Sequence, residues 1–149
     1  FIQNEIERCK RYPSFFSVVF FDLDNLKAIN DEYGHLIGTE ALKDVANILR
    51  GQVRKIDLLS RFGGDEFVIV LVKADAGKAY DTCGRIKQRL GSTVFLKDKD
   101  LNIRMTGCFG ISCFPRDGST VDELIKKADS AMYEVKRRGK NGIKIYEGA

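Results

Sequence analysis

Arg61-Phe62-Gly63-Gly64-Asp65-Glu66-Phe67 places two adjacent carboxylates at a bend between two apolar runs. Leu58, Leu59 and Phe62 come before the bend, and Phe67, Val68, Ile69, Val70 and Leu71 come after it. Runs of this length and β-branched content predict buried strands, and the Gly-Gly pair between them predicts a hairpin turn. Glycine there is expected to supply positive φ and to let another molecule approach the backbone. Acids held on a tight turn between two buried strands point to a metal or phosphate site.

A second acidic cluster gives the turn a partner. Ser17-Val18-Val19-Phe20-Phe21 predicts another strand, which runs into Asp22-Leu23-Asp24. From Asn25 a helical segment is expected over Leu26 to Tyr33. An acid at the C-terminal end of a buried strand lies where α/β sheets bind ligands. If this strand neighbours the hairpin, Asp22 and Glu66 converge on one hard divalent cation. Mg²⁺ takes one or two carboxylates and completes its shell with water and phosphate oxygens. Lys27 is placed to meet a phosphate as a point charge. Asp24 reads at least as well as the N-cap of the following helix as it does a ligand.

The chain has 149 residues, 44% hydrophobic and 31% charged, with a net charge of +4. That is the length and balance of one globular domain, 1–149, with a substantial core. No apolar stretch reaches transmembrane length and no signal peptide opens the chain, so no membrane contact is expected. The mild positive charge favours a polyanionic nucleotide but is too small to argue for nucleic acid. Cys9, Cys83, Cys108 and Cys113 show no zinc spacing and none adjoins His35, the single histidine. They read as reduced thiols of a cytoplasmic domain.

Helix and strand alternate along the sequence. A helix is expected from about Gly38 to Arg50, with Leu42, Val45, Ala46 and Leu49 on one face. Another runs from about Ala76 to Leu90, with Ala79, Cys83, Ile86 and Leu90 inward and Lys78, Arg85, Lys87 and Arg89 outward. Residues 93–114 hold two strand candidates joined by Lys97-Asp98-Lys99-Asp100. Ser119 or Thr120 is expected to cap a helix that buries Val121, Leu124, Ile125, Ala128, Ala131, Met132 and Val135. Ile143 to Tyr146 would be a closing edge strand. The pattern gives an α/β (α+β) fold: a mixed central sheet containing an antiparallel hairpin, flanked by helices.

With Phe21-Asp22-Leu23-Asp24-Asn25-Leu26-Lys27, Asn30-Asp31, Gly34-His35, Gly38 and the hairpin motif, the chain resembles the GGDEF family of diguanylate cyclases. Ala128-Asp129-Ser130-Ala131-Met132-Tyr133, Lys136 and Gly139-Lys140-Asn141 are similar to its C-terminal signature. The resemblance implies a nucleotidyl-cyclase, polymerase-palm-like fold. It also implies condensation of two nucleoside triphosphates to a cyclic dinucleotide in a homodimer, with Mg²⁺ or Mn²⁺. The family's Asp-x-Leu-Thr-Gly-Leu leader is absent, so a longer signalling protein with a sensory or membrane part is expected. Asp22, the Leu23 carbonyl and Glu66 are the implied metal ligands. Asp65 and Glu66 share the catalytic duties, with deprotonation of the 3′-hydroxyl or metal support open to either. Lys27, Lys136 and Lys140 are implied phosphate contacts, and a solvated helix face is an equal reading of Lys136.

Asn30, His35 and Thr39 belong to the implied base pocket. The family pattern Gly-His-x-x-Gly-Asp ends here in Thr39, not in an aspartate. A carboxylate accepts from guanine N1 and N2, and adenine lacks both donors, so threonine is expected to penalise adenine less. This implies ATP use beside GTP and some 3′,3′-cGAMP beside c-di-GMP; a tolerated substitution in a GTP enzyme is the plainer reading. Arg54-Lys55-Ile56-Asp57 is similar to the family's product-inhibition site, with Arg85 aligned to an arginine contributed by a neighbouring domain. The alternative to an enzyme is a non-catalytic domain that binds GTP or c-di-GMP.

Overall fold

Phe16–Leu23 is apolar except at Ser17 and Asp22, and it forms the central strand, β1. The computed structural model describes residues 1–11 and 13–148, with Tyr12 and Ala149 outside the described residues. Around β1 the chain adds helix α1 (Ile2–Arg11), α2 (Leu26–Tyr33) and α3 (His35–Gln52). The hairpin strands are β2 (Leu58–Arg61) and β3 (Glu66–Val72). Then follow α4 (Ala76–Ser92), a 3₁₀ turn at Lys97–Lys99, β4 (Gly107–Phe114), α5 (Val121–Arg137) and β5 (Gly142–Ile145). The sheet order is β2-β3-β1-β4-β5, antiparallel throughout except for the β4–β5 pair. The expected mixed sheet with flanking helices is thus the observed one.

Side chains alternate across a strand, so each central strand feeds two cores. Val19, Phe21, Leu23, Phe67, Ile69, Leu71, Phe109 and Ile111 face one way, packing on α2, α3 and α4. Phe16, Val18, Phe20, Val68, Val70 and Cys108 face the other way, onto α1 and α5. The inward faces read from the sequence for α3, α4 and α5 are the buried ones, apart from the half-buried Ala46, Val121 and Ile125. Asp75 caps α4 and Thr120 caps α5, each side chain accepting from the backbone N–H three residues on.

Three expectations need correction. The third helix starts at His35, not Gly38, because Gly34 breaks the chain at φ 92 and ends α2 there. The first strand candidate of 93–114 is reduced to one bridge, Phe95 to Ile103, since Leu96 and Asp100 take left-handed backbone around the 3₁₀ turn. The hairpin glycines do not use positive φ; among the described residues the glycines that do are Gly34, Gly139 and Gly148. A Cβ at Gly63 would lie 2.5 Å from Glu66 Oε1, so the Glu66 carboxylate would have to turn from its present position.

Gly110 on β4 sets how closely α5 approaches the sheet. A Cβ at Gly110 would stand 1.9 Å from the Ala128 carbonyl oxygen and 2.4 Å from the Met132 nitrogen. These are backbone atoms of α5, so the whole helix would have to shift. Gly110→Ala is expected to destabilise the domain by about 3 kcal/mol, the upper part of the usual overpacking range. Urea unfolding measures this, and a midpoint unchanged from wild type would contradict the seat described.

Candidate active site

The strand register brings the acids together. Asp22 on β1 is the cross-strand partner of Glu66 on β3 and of Cys108 on β4. All three lie at positions that project toward α5, as their neighbours Val68 and Val70 do. The turn is tied to the end of β1, with the Leu23 N–H donating to the Asp65 carbonyl at 3.0 Å. Arg61 braces it from outside, Nε donating to the Gly63 carbonyl at 3.1 Å and Nη2 to the Gly64 carbonyl at 2.6 Å.

Lys136, in the last turn of α5, reaches into this cluster. Its Nζ lies 3.0 Å from Asp22 Oδ2, 3.2 Å from the Leu23 carbonyl and 3.5 Å from Asp24 Oδ1. Lys136 therefore does not belong to a solvated face, unlike the exposed Arg137 and Arg138. Burial pushes the Asp22 carboxyl up to about 6 despite its bond and attraction to Lys136, and Asp65 and Glu66 add to the rise. Burial, then Asp65 and Asp129, raise Glu66 as well, against the pull of Lys136. Burial works against the Lys136 charge, but Asp22, Asp24 and Cys108 more than offset it and its pKa is raised.

The residues present fit a hard divalent ion. Asp22 Oδ1 is buried and has no hydrogen-bond partner among the described residues. The donors at hand, Asp22, the Leu23 carbonyl and Glu66, are all oxygens, the ligand type Mg²⁺ and Mn²⁺ favour. Among the described residues, no three His, Cys, Asp or Glu side chains gather on one point. An ion here would thus keep positions open for ligand oxygens.

Asp24 is neither N-cap nor exposed ligand. Asn25, at φ 65, occupies the cap position of α2 without a side-chain bond. Asp24 is buried and accepts from Thr106 Oγ1 at 2.7 Å, Cys108 Sγ at 3.1 Å and the Asn141 N–H at 3.1 Å. It pins the loop after α5, where Lys140 and Asn141 both have left-handed backbone. From that loop Lys140 Nζ approaches Asn25 Oδ1 at 3.4 Å. Burial and then Asp24 hold the Cys108 thiol up at about 12, so it stays protonated and donates. From the sequence Thr106 reads as no site residue, Cys108 only as a reduced thiol and Arg61 only as a member of the hairpin motif, while Asp24, two residues beyond Asp22, reads as cap or ligand.

The base-pocket residues share a separate cleft of about 430 Å³. Lys27, Asn30, His35, Gly38 and Thr39 line it from α2 and α3, and Arg61, Gly64 and Asp65 close it from the hairpin. Gly38 makes room for the Asn30 amide, since a Cβ there would overlap Asn30 Oδ1 at 1.7 Å. The Thr39 hydroxyl donates to the His35 carbonyl at 2.9 Å, which leaves its oxygen able only to accept. Asp65 joins this cleft, whereas Asp22, Glu66, Lys136 and Lys140 are not among its lining residues.

Arg54 and Asp57 lie elsewhere. Arg54 grips Asp57 through Nε at 3.1 Å and Nη2 at 2.9 Å, and Nη2 also donates to the Val72 carbonyl. Both line a cleft of about 260 Å³ with Lys73, Lys78, Asp81 and Arg85. Arg85 of this chain lines the same cleft.

The raised Asp22 pKa has a definite sign. Its folded value near 6 exceeds the usual 3.8, so its contribution is present below 3.8 and is lost as pH rises through about 6. Relative to Asp22→Asn without divalent ions, wild type should lose up to about 3 kcal/mol between about pH 3.5 and 7. Urea unfolding across that range measures the difference; a constant or rising one would contradict it.

Known proteins resemble this chain in sequence and in fold. The family described as "Diguanylate cyclase, GGDEF domain" matches residues 1–142. The chain is 34% identical, over 99% of its length, to the bifunctional diguanylate cyclase/cyclic di-GMP phosphodiesterase MucR of Pseudomonas aeruginosa, and covers 21% of that protein. It is 33% identical over 99% of its length to diguanylate cyclase DosC of Escherichia coli, covering 32% of it. The crystal structure of the GGDEF domain of YfiN (TpbB) from P. aeruginosa superposes with a TM-score of 0.92 at 30% identity, over 98% of this chain and 91% of that one. This chain spans a fifth to a third of the length of MucR and DosC, and it belongs to the GGDEF domain family.

Proposed function

We propose that this domain is a nucleotidyl cyclase that condenses two nucleoside triphosphates into a 3′,5′-cyclic dinucleotide and releases pyrophosphate. The observation that carries this is the buried, unpartnered Asp22 oxygen paired in register with Glu66 at the hairpin. The relatives' greater length fits a domain serving within a longer signalling protein.

In the proposed reaction a 3′-oxygen attacks an α-phosphorus, the bond to the β-phosphate breaks, and the proton passes to a base. A bound Mg²⁺ or Mn²⁺, held by Asp22, the Leu23 carbonyl and Glu66, would neutralise phosphate charge. Asp65, on the turn and in the base cleft, is placed to take the proton, and Glu66 beside it can share that duty. Lys27 and Lys140 meet the triphosphate as point charges. Lys140 in place of the family's arginine gives charge without a bidentate grip. One domain holds one triphosphate, so two copies must face each other for each 3′-hydroxyl to reach the other's phosphorus.

Asn30 and Thr39 read the base. With its hydrogen committed to His35, Thr39 offers a neutral acceptor. It bonds guanine more weakly than a carboxylate would, and leaves no buried charge unpaired opposite adenine. Losing one charge-assisted bond is worth about 1.5–3 kcal/mol, enough to relax selectivity for GTP over ATP. We therefore read the products as c-di-GMP with some 3′,3′-cGAMP.

The rival is a domain that binds GTP or c-di-GMP without turnover, and the separate Arg54–Asp57 cleft favours it. Pyrophosphate release with Mg²⁺ and equal GTP and ATP, with mass analysis of products, tests both readings. Wild type should exceed Glu66→Gln by about a hundred-fold or more and yield cGAMP beside c-di-GMP. A wild type no faster than the variant supports the receptor, and c-di-GMP alone refutes the relaxed selectivity.

The same cleft is read as the product-inhibition site. Arg54→Ala should raise the c-di-GMP concentration for half-inhibition at least ten-fold, as expected from losing about 1.5–3 kcal/mol of charged hydrogen bonding. Inhibition curves measured with added product check this, and superimposable curves would place the site elsewhere.

A further inference from the structure

We infer that Lys136 is an exchangeable cation of the acid cluster: its ammonium group occupies the site when no divalent ion is bound and is displaced when one binds. The inference rests on the reading of Asp22 and the Leu23 carbonyl as metal ligands, and it concerns what holds those ligands beforehand.

Three oxygens converge on one nitrogen, Asp22 Oδ2 at 3.0 Å, the Leu23 carbonyl at 3.2 Å and Asp24 Oδ1 at 3.5 Å. Two of these atoms belong to the residues that would hold the ion. A divalent cation sits about 2.1 Å from its oxygens, so it and the ammonium cannot share Asp22 and the Leu23 carbonyl without close like-charge repulsion. The second Asp22 oxygen is buried without a partner among the described residues, leaving the carboxylate an unused coordination position beside the ammonium. An incoming ion can engage that oxygen before Lys136 has left.

The side chain is built to leave. Its anchor is fixed, because α5 is seated against Gly110. Its stem is flexible, and the side chain retains 23% exposure, so an exit to solvent exists. A lysine ammonium is a compact charge that rotates freely among oxygens, whereas a guanidinium fork would be held to one geometry. Once displaced, the charge is free to meet a phosphate group, and the arrival of ion and nucleotide becomes coupled. Before that, Lys136 keeps two half-buried carboxylates from facing each other uncompensated.

Titration calorimetry of the nucleotide-free domain with Mn²⁺ alone tests this in wild type, Lys136→Met and Asp22→Asn. Lys136→Met should bind Mn²⁺ at least ten-fold more tightly than wild type, and Asp22→Asn should not bind. If Lys136→Met binds no tighter while Asp22→Asn loses binding, the exchange is overturned and the metal reading stands. If Asp22→Asn binds as wild type does, or no protein binds, the metal reading fails and the exchange with it. A second measurement needs no variant: acylation of Lys136 by an amine reagent, followed by mass spectrometry, should speed up several-fold in saturating Mn²⁺ over chelator. An unchanged or slower rate overturns the proposal.

Discussion

Asp22 stands at the end of the central strand with its neighbours dictated by register, Glu66 on one side and Cys108 on the other. A carboxylate in that position has lost much of its water and faces another acid, so it requires positive charge. The arrangement around it follows from that need. Lys136 supplies one charge from α5, the hairpin is held by Leu23 and Arg61, and one oxygen remains unmet. The proposed role, binding polyanions through a cation, would answer such an imbalance.

Delivery of Lys136 depends on backbone proximity more than on side-chain attraction. Helix α5 lies so near β4 that only hydrogen fits at Gly110, and two turns further along the helix Lys136 meets the strand end. Asp24 then fastens the chain beyond the helix by accepting from Asn141. One buried acid thereby organises the cation that compensates its neighbour and the loop that carries Lys140.

Elements governed by local periodicity were legible in the sequence. The apolar runs gave β1, β3 and β4, and the faces of α3, α4 and α5 followed from spacing alone. The start of α3 was not legible, because Leu36 is 84% exposed and breaks the apolar pattern just where the helix begins. The strand candidate ahead of the turn at residues 97–100 is apolar at Val94, Phe95 and Leu96, yet only Phe95 pairs there, in a single bridge to Ile103. Within the candidate site, Arg54 and Asp57 were readable as a local pair three residues apart. The bonds of Asp24 were not, since its donors Thr106 and Asn141 lie 82 and 117 positions away. The joining of Asp22 to Glu66 was expected from chemistry, and the register supplies it.

β1 belongs to both cores at once. Phe16, Val18 and Phe20 pack toward α1 and α5, while Val19, Phe21 and Leu23 pack toward α2, α3 and α4. Its C-terminal end carries Asp22, opposite Glu66. The strand is therefore held front and back, and the carboxylates at its end stand on a backbone whose position both layers fix.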